Sequence, residues 1–235
     1  MVCKSHKTLE NCLTNIMFEI NKNAEVRAEQ FFHSNLYVID DFYLNPDEVV
    51  EYITKTQPPL WKTEEGETSN GKTFEDRRLI KDDPDLIEAY EALSSLCGQP
   101  PAYSNQKIIT NQLRFTDKEK NTYKTHYWWP HIDQGYNGIV YLNHDEECGT
   151  NIYDYADMQE YAARSSKEHL NSWREKEKYV LLKEIKPKYN RLVLFDGLFL
   201  HAMNICNDRY FGDEYRLNQV FFFLDTVNLQ PLEHS

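Results

Sequence analysis

The chain has 235 residues, 40% of them apolar and 27% charged, a balance that builds a globular core and excludes a disordered or fibrous chain. Its 26 basic and 38 acidic residues leave a net charge of −12, which repels a phosphate backbone and disfavours nucleic acid as a partner. No stretch reaches the roughly eighteen apolar residues of a membrane span and the first residues lack a signal-peptide apolar block, so a soluble, cytoplasmic protein is expected.

Five scattered cysteines (Cys3, Cys12, Cys97, Cys148 and Cys206) are odd in number and form no C-x-x-C pair, which argues against a disulfide framework and a structural zinc site. Leu13, Ile16, Met17 and Ile20 recur at three- and four-residue steps, so roughly the first thirty residues read as helix. Leu36 to Phe42 is β-branched and aromatic, hence a short strand. Asn45, Pro46, Asp47 and Glu48 form a helix start, with an N-cap residue, a first-turn proline and acids at the positive end of the dipole. That helix should run to about Thr56, before Pro58 and Pro59. From 61 to 76 the polar residues with Gly66 and Gly71 read as a mobile loop or a hairpin. Asp83-Pro84 opens a second expected helix, to about Leu96.

Beyond this point the apolar period changes to two, and strands are expected near 106–115, 125–132, 137–143, 149–153, 179–186, 191–196, 200–205 and 215–224. A charged insert at 155–176 has helical composition and reads as a solvated face, with a lid or partner role as the alternative. The whole, 1–235, is expected to be a single α+β domain. Its front, 1–104, is read as mainly helical, with helices packed on one sheet; 105–224 is read as a jelly-roll-like core.

His131-Ile-Asp133 is the central motif, because alternation along a strand sends residues two apart to the same face. One imidazole and one carboxylate then point together, and His201, after the apolar stretch from Leu192, is the candidate third ligand. Two histidines and one carboxylate are the facial set of non-haem Fe(II) oxygenases, which leaves positions open for the chemistry. A keto acid there needs a cation for its distal carboxylate. Arg216, carried inward by an apolar strand, fits that need, and Arg209, among polar turn residues, is its rival.

The ordered run His131-Ile-Asp133, Tyr141-Leu-Asn143, Gly149-Thr150, Asn190-Arg191-Leu-Val-Leu-Phe195, His201 and Arg216 resembles the signature of the 2-oxoglutarate- and Fe(II)-dependent dioxygenases. It is most similar to the prolyl-4-hydroxylase-like branch and its small bacterial and phage members. The likeness spans roughly residues 105–224, and Val38 to Pro46 resembles the usual opening of that fold. The resemblance implies a double-stranded β-helix, a cupin-like jelly roll, with iron held by His131, Asp133 and His201. It also implies 2-oxoglutarate held by Arg216 and Tyr141, with Asn143 grouped beside them, O2 as co-substrate and ascorbate as an optional reductant. Two departures stand out: Cys148 replaces the first glycine of a common Gly-Gly-Thr, and the gap from His201 to Arg216 is long. An aspartate at 133, rather than a small residue, favours hydroxylation over halogenation.

The implied activity is hydroxylation of an unactivated C–H bond in a small molecule or peptide, such as a peptidyl or free proline, by a monomer or homodimer. Two alternatives stay open: a non-catalytic cupin-like metal-binding module, and an iron enzyme of this fold that does not use 2-oxoglutarate. Arg216 and Tyr141 discriminate, since neither is needed by a plain metal-binding barrel. His126 lies five residues before His131, so alternation puts it on the opposite face as a structural residue. Tyr123, Tyr127, Trp128 and Trp129 read as core and rim packing or as a substrate wall. Asn204 and Asn218 read as turn or edge residues or as ligand-orienting groups.

Overall fold

Ser34–Ile39 (β2) buries Ser34, Leu36 and Ile39, and Val26–Phe31 (β1) pairs antiparallel to it, with Phe31 opposite Ser34. The chain turns between them through Phe32 at φ 52, a left-handed conformation uncommon for a bulky residue. The computed structural model describes residues 18–55, 62–68, 71–81, 91, 93, 107–156 and 173–223. The expected N-terminal helix is therefore corrected from residue 26 onward, where the chain is strand, and Ile20 bridges to Tyr43 instead of lying on a helix face. The physical reason lies in β1 itself: five of its six residues are exposed, so it has no apolar period of its own and is held by the backbone of β2. Residues 1–17, with the other apolar positions of that expected helix, lie outside the described residues.

Helix α1 (Pro46–Lys55) starts and stops close to where its sequence signals put it, with Asp47 and Glu48 in the first turn and Lys55 in the last. Val49 and Ile53, one turn apart, are its buried stripe. Of the two readings for 61–76, the hairpin holds: Lys62–Thr68 (β3) pairs with Gly71–Lys81 (β4). The second expected helix lies outside the described residues except for Glu91 and Leu93, both helical. A mainly helical front is thus corrected to four strands and α1 in its described part.

The remaining strands are Lys107–Phe115 (β5), His126–Trp128 (β6), Tyr136–Tyr141 (β7), Thr150–Tyr155 (β8), Trp173–Glu175 (β9), Tyr179–Ile185 (β10), Arg191–Asp196 (β11), Leu200–Met203 (β12) and Arg216–Phe223 (β13). The strand expected at 125–132 stops at Trp128, because Trp129 has φ 48 and Pro130 has no N–H to donate. The insert expected to be helical begins in β8 and reaches β9, which pairs with β6, and the 3-10 turn that follows at Lys176, while residues 157–172 lie outside the described set.

All strand pairs are antiparallel, in an eight-stranded sheet ordered β1-β2-β11-β7-β13-β5-β4-β3, a three-stranded sheet β10-β8-β12 and a β6-β9 ribbon. Leu36, Ile139, Tyr141, Val193 and Phe195 of the large sheet share one apolar cluster with Ile152 and Ile185 of the smaller one, so the two sheets pack face to face. The opposite face of the large sheet packs on Val49 and Ile53 of α1 through Val140, Leu192, Leu194 and Phe221. A third cluster seats Trp128 and Trp173 of the ribbon on Phe74, Leu113 and Phe115. The architecture is a mostly antiparallel β-sandwich of jelly-roll type with few helices. Among the described residues, no helix is long and apolar enough to cross a membrane.

Candidate metal centre

The centre begins as a backbone arrangement. His131 and His201 form an isolated antiparallel bridge, the N–H of His131 donating to His201 O at 2.9 Å and that of His201 to His131 O at 2.8 Å. Directly opposed residues project to the same face, so the bridge delivers two imidazoles to one side. Pairing continues from Asp133 N to Gly197 O at 2.8 Å and from Gly197 N to Gly135 O at 2.7 Å, which keeps Asp133 in register beside them. This approach needs a glycine at 197: a Cβ there would lie 2.7 Å from Gly135 O and 2.9 Å from Asp133 O.

The side chains then converge. Asp133 Oδ2 is 3.5 Å from His131 Nε2 and 3.4 Å from His201 Nε2, and the three ligand atoms all lie within 4.8 Å of one another. His131 Nδ1 is 2.7 Å from Trp129 O and His201 Nδ1 is 2.8 Å from Phe199 O. A carbonyl only accepts, so each Nδ1 carries the proton and each Nε2 turns a lone pair to the centre, the tautomer of a metal-ligating histidine. Burial, and next the His131 charge, hold the pKa of His201 below its ordinary value and keep that lone pair free. Burial pushes the Asp133 carboxyl up, but a proton on either facing imidazole pulls it down by hydrogen bond and charge, and the balance holds the group well below the usual carboxylate range. Three electron-pair donors face one point, an arrangement that fits a cation.

Asn137 is the residue that the sequence reading missed. It stands near the start of β7 between Phe195 and Phe222 of the neighbouring strands, is 1% exposed, and donates from Nδ2 to Asp133 Oδ2 at 2.6 Å. Its position, four residues before Tyr141 on the same strand face, was the available signal. The carbonyls of Trp129 and Phe199, and the close approach at Gly197, had no sequence signature.

Arg216 at the start of β13 is 6% exposed. Its guanidinium lies 5.7 Å from the centre of the Tyr141 ring and touches Cys148 O and Gly149 O at 3.4 Å each; among the described residues it has no carboxylate partner. Tyr141 donates to Thr150 Oγ1 at 2.8 Å. Thr150 and Ile152 share a face of β8, and Ile152 is directly opposite His201, which links this cation to the same inter-sheet space. Arg209 is differently placed: it is tied to Glu214 at 2.6 Å and donates to His144 O at 2.8 Å. Asn143 accepts from Leu217 N and donates to Tyr215 O at 3.0 Å, so its amide braces the backbone on both sides of Arg216.

Other singled-out residues lie elsewhere. His126 is bonded to the Thr125 hydroxyl at 2.8 Å, and Asn204 is half-buried and directed to Glu147 O and Glu184. Asn218 is buried on β13 opposite Tyr141. Trp128 is core, Tyr123 and Trp129 pack against the same cluster, and Tyr127 stacks on Tyr153. Cys148 and Cys206 are free thiols 3.4 Å apart.

No family model matches the chain, and no curated protein matches it. Among solved structures it is similar to HygX from Streptomyces hygroscopicus with nickel and 2-oxoglutarate bound, with 11% identity over 79% of this chain and 80% of that one and a TM-score of 0.34. The functional reading rests on the geometry of this chain's own residues.

Proposed function

We propose that the protein is an Fe(II)- and 2-oxoglutarate-dependent oxygenase of the prolyl-4-hydroxylase-like kind, built on a double-stranded β-helix. The observation that carries the reading is a buried Arg216 without a carboxylate partner among the described residues, in the same inter-sheet space as the His131, Asp133 and His201 donors. A metal-binding barrel alone has no use for that cation, and leaving it buried without an anion is costly.

In this reading His131, Asp133 and His201 hold Fe(II), and Arg216 with Tyr141 receives the distal carboxylate of 2-oxoglutarate. When bound, iron, 2-oxoglutarate and O2 supply the oxidation of an unactivated C–H bond to an alcohol, with succinate and CO2 as the other products. The residues of the chain do the rest. Trp129 O and Phe199 O fix both imidazole tautomers, Asp133 stays ionised, and the guanidinium orients a carboxylate in two-point fashion. Packing by Ile139, Ile152, Phe195 and Phe199 keeps the space dry. The proposed substrate is a small molecule or peptide carrying a peptidyl or free amino acid such as proline, acted on in the cytoplasm by a monomer or homodimer.

The test is anaerobic addition of Fe(II) and then 2-oxoglutarate to the metal-free protein. The visible charge-transfer band of the chelate should appear, vanish in His131→Ala and weaken in Arg216→Ala. Absence of a band in the unaltered protein would replace this reading with a metal-binding module.

A further inference from the structure

An asparagine in the centre of the large sheet, flanked in register by Phe195 and Phe222, is an expensive choice for a strand interior. Asn137 is 1% exposed, and its Oδ1 is buried without a hydrogen-bond partner. The other end of the amide explains why. Nδ2 donates to Asp133 Oδ2 at 2.6 Å and lies 3.3 Å from His201 Nε2. Turning the amide over would set two acceptor oxygens against each other at that distance, so the donor must face the carboxylate even though the carbonyl is left unsatisfied. The oxygen it holds is also the one nearest both imidazoles, at 3.4 and 3.5 Å.

We infer that Asn137 is a positioning residue of the metal centre, which locks Asp133 Oδ2 in the orientation that completes the ligand set with His131 and His201. The inference rests on the proposed metal site and adds a residue to it. Among the described hydrogen bonds, the bond from Asn137 is the one that fixes the Asp133 carboxylate from a side chain outside the ligand set. Asp133 belongs to the segment between Trp129 and Tyr136, whereas β7 is central in the large sheet, so the amide ties a ligand on a connecting segment to a strand paired on both sides. Without it the carboxylate can rotate about its side-chain bonds, and a third ligand that must be ordered on binding lowers affinity.

The probe is Co(II), titrated into the metal-free full-length protein and followed by its visible absorption, which reports ligand geometry. Asn137→Leu keeps the side-chain size, and Asn137→Ala serves as a second variant should leucine disturb folding. Each should bind Co(II) about 10- to 100-fold more weakly than the unaltered protein, with an altered band shape, while the thermal midpoint of the metal-free variant is retained. Phe222→Leu, a neighbouring change that leaves the amide in place, should retain both affinity and spectrum. Unchanged Co(II) affinity and spectrum in a folded Asn137 variant would overturn the inference and leave the metal site standing. No Co(II) binding by the unaltered protein would instead overturn the metal site itself.

Discussion

Arg216 is 6% exposed, and among the described residues its guanidinium meets two carbonyls, at 3.4 Å, and the Tyr141 ring but no carboxylate, a setting that favours an anionic ligand. If that ligand is the distal carboxylate of 2-oxoglutarate, Arg216→Ala should raise the KM for it about 30-fold or more, the loss expected when one partner of a buried charged pair is removed. Arg216→Lys should recover little, because an ammonium cannot reproduce the planar two-point contact. Steady-state kinetics with varied 2-oxoglutarate decide this, and an unchanged KM would exclude Arg216 as the anchor. Asp145 shapes the neighbouring loop, accepting from the Tyr210 hydroxyl at 2.7 Å and from Glu147 N at 2.9 Å. Burial opposes its ionisation, but these bonds, Cys148 N and Arg209 outweigh it and hold the carboxyl below its ordinary value. A carboxyl whose folded pKa is depressed contributes stability above its unfolded pKa and loses it as pH falls through the folded one. Asp145→Ala should therefore cost about 2 kcal/mol at pH 7, and the difference should shrink below about pH 4. Urea denaturation of both proteins at the two pH values measures it; an equal gap at both would assign the loss to packing. The shared side of His131 and Asp133 follows from two-residue spacing, while the burial of Arg216 and the pairing of Arg209 with Glu214 depend on packing that no spacing encodes.

Elements differ in how openly their sequences announce them. Strands buried on both faces, such as β7 and β11, carry a short, nearly continuous apolar run, and α1 carries its cap and acids, so both kinds were readable. The exposed edge strand β1 and the short β9 draw their structure from a partner and were not. Register was equally hidden: nothing in the sequence says that His131 pairs with His201, since that follows from how the turn around Gly197 meets the segment after Pro130. The same turn yields a prediction. Gly197→Ala places a methyl 2.7 Å from Gly135 O, and because the obstacle is backbone, the ligand-bearing segments must separate. Affinity for Co(II) should fall by at least roughly 10-fold, as when supporting contacts of a metal site are lost. Gly138→Ala is the control, since its Cβ would meet nothing closer than 3.4 Å and should leave metal affinity intact. Calorimetric metal titration of the two variants compares them; equal affinities would mean that the turn does not hold the ligands.

Across the whole molecule, the two sheets are joined by the apolar cluster that contains Ile139, Ile152 and Phe195, and the ligand set lies at its margin, where Phe195 packs on the His201 ring at 4.9 Å. A sandwich after residue 105 was legible from the count and period of its strands. The large sheet was not, because four of its eight strands come from the front half, where β1 is exposed and β3 and β4 are polar in sequence, so that they mimic loops or helices. This architecture sets what a cation does to stability. His131 and Asp133 lie on the segment after β6, His201 on β12 of the smaller sheet, and Asp133 is tied through Asn137 to β7 of the larger one, so one ion fastens segments that separate on unfolding. A ligand that binds the folded chain and not the unfolded one stabilises by mass action, by about 2.7 kcal/mol at a hundredfold excess over Kd. For a chain of this size, that corresponds to a rise in Tm of roughly 5–10 °C. Co(II) or anaerobic Fe(II) should produce the rise in the unaltered protein, and a chelator should reverse it. His201→Ala should show no rise, and Arg216→Ala, with the three donors intact, should show nearly all of it. A comparable rise in His201→Ala would place the stabilising ion elsewhere on this acidic surface and separate stability from the proposed centre.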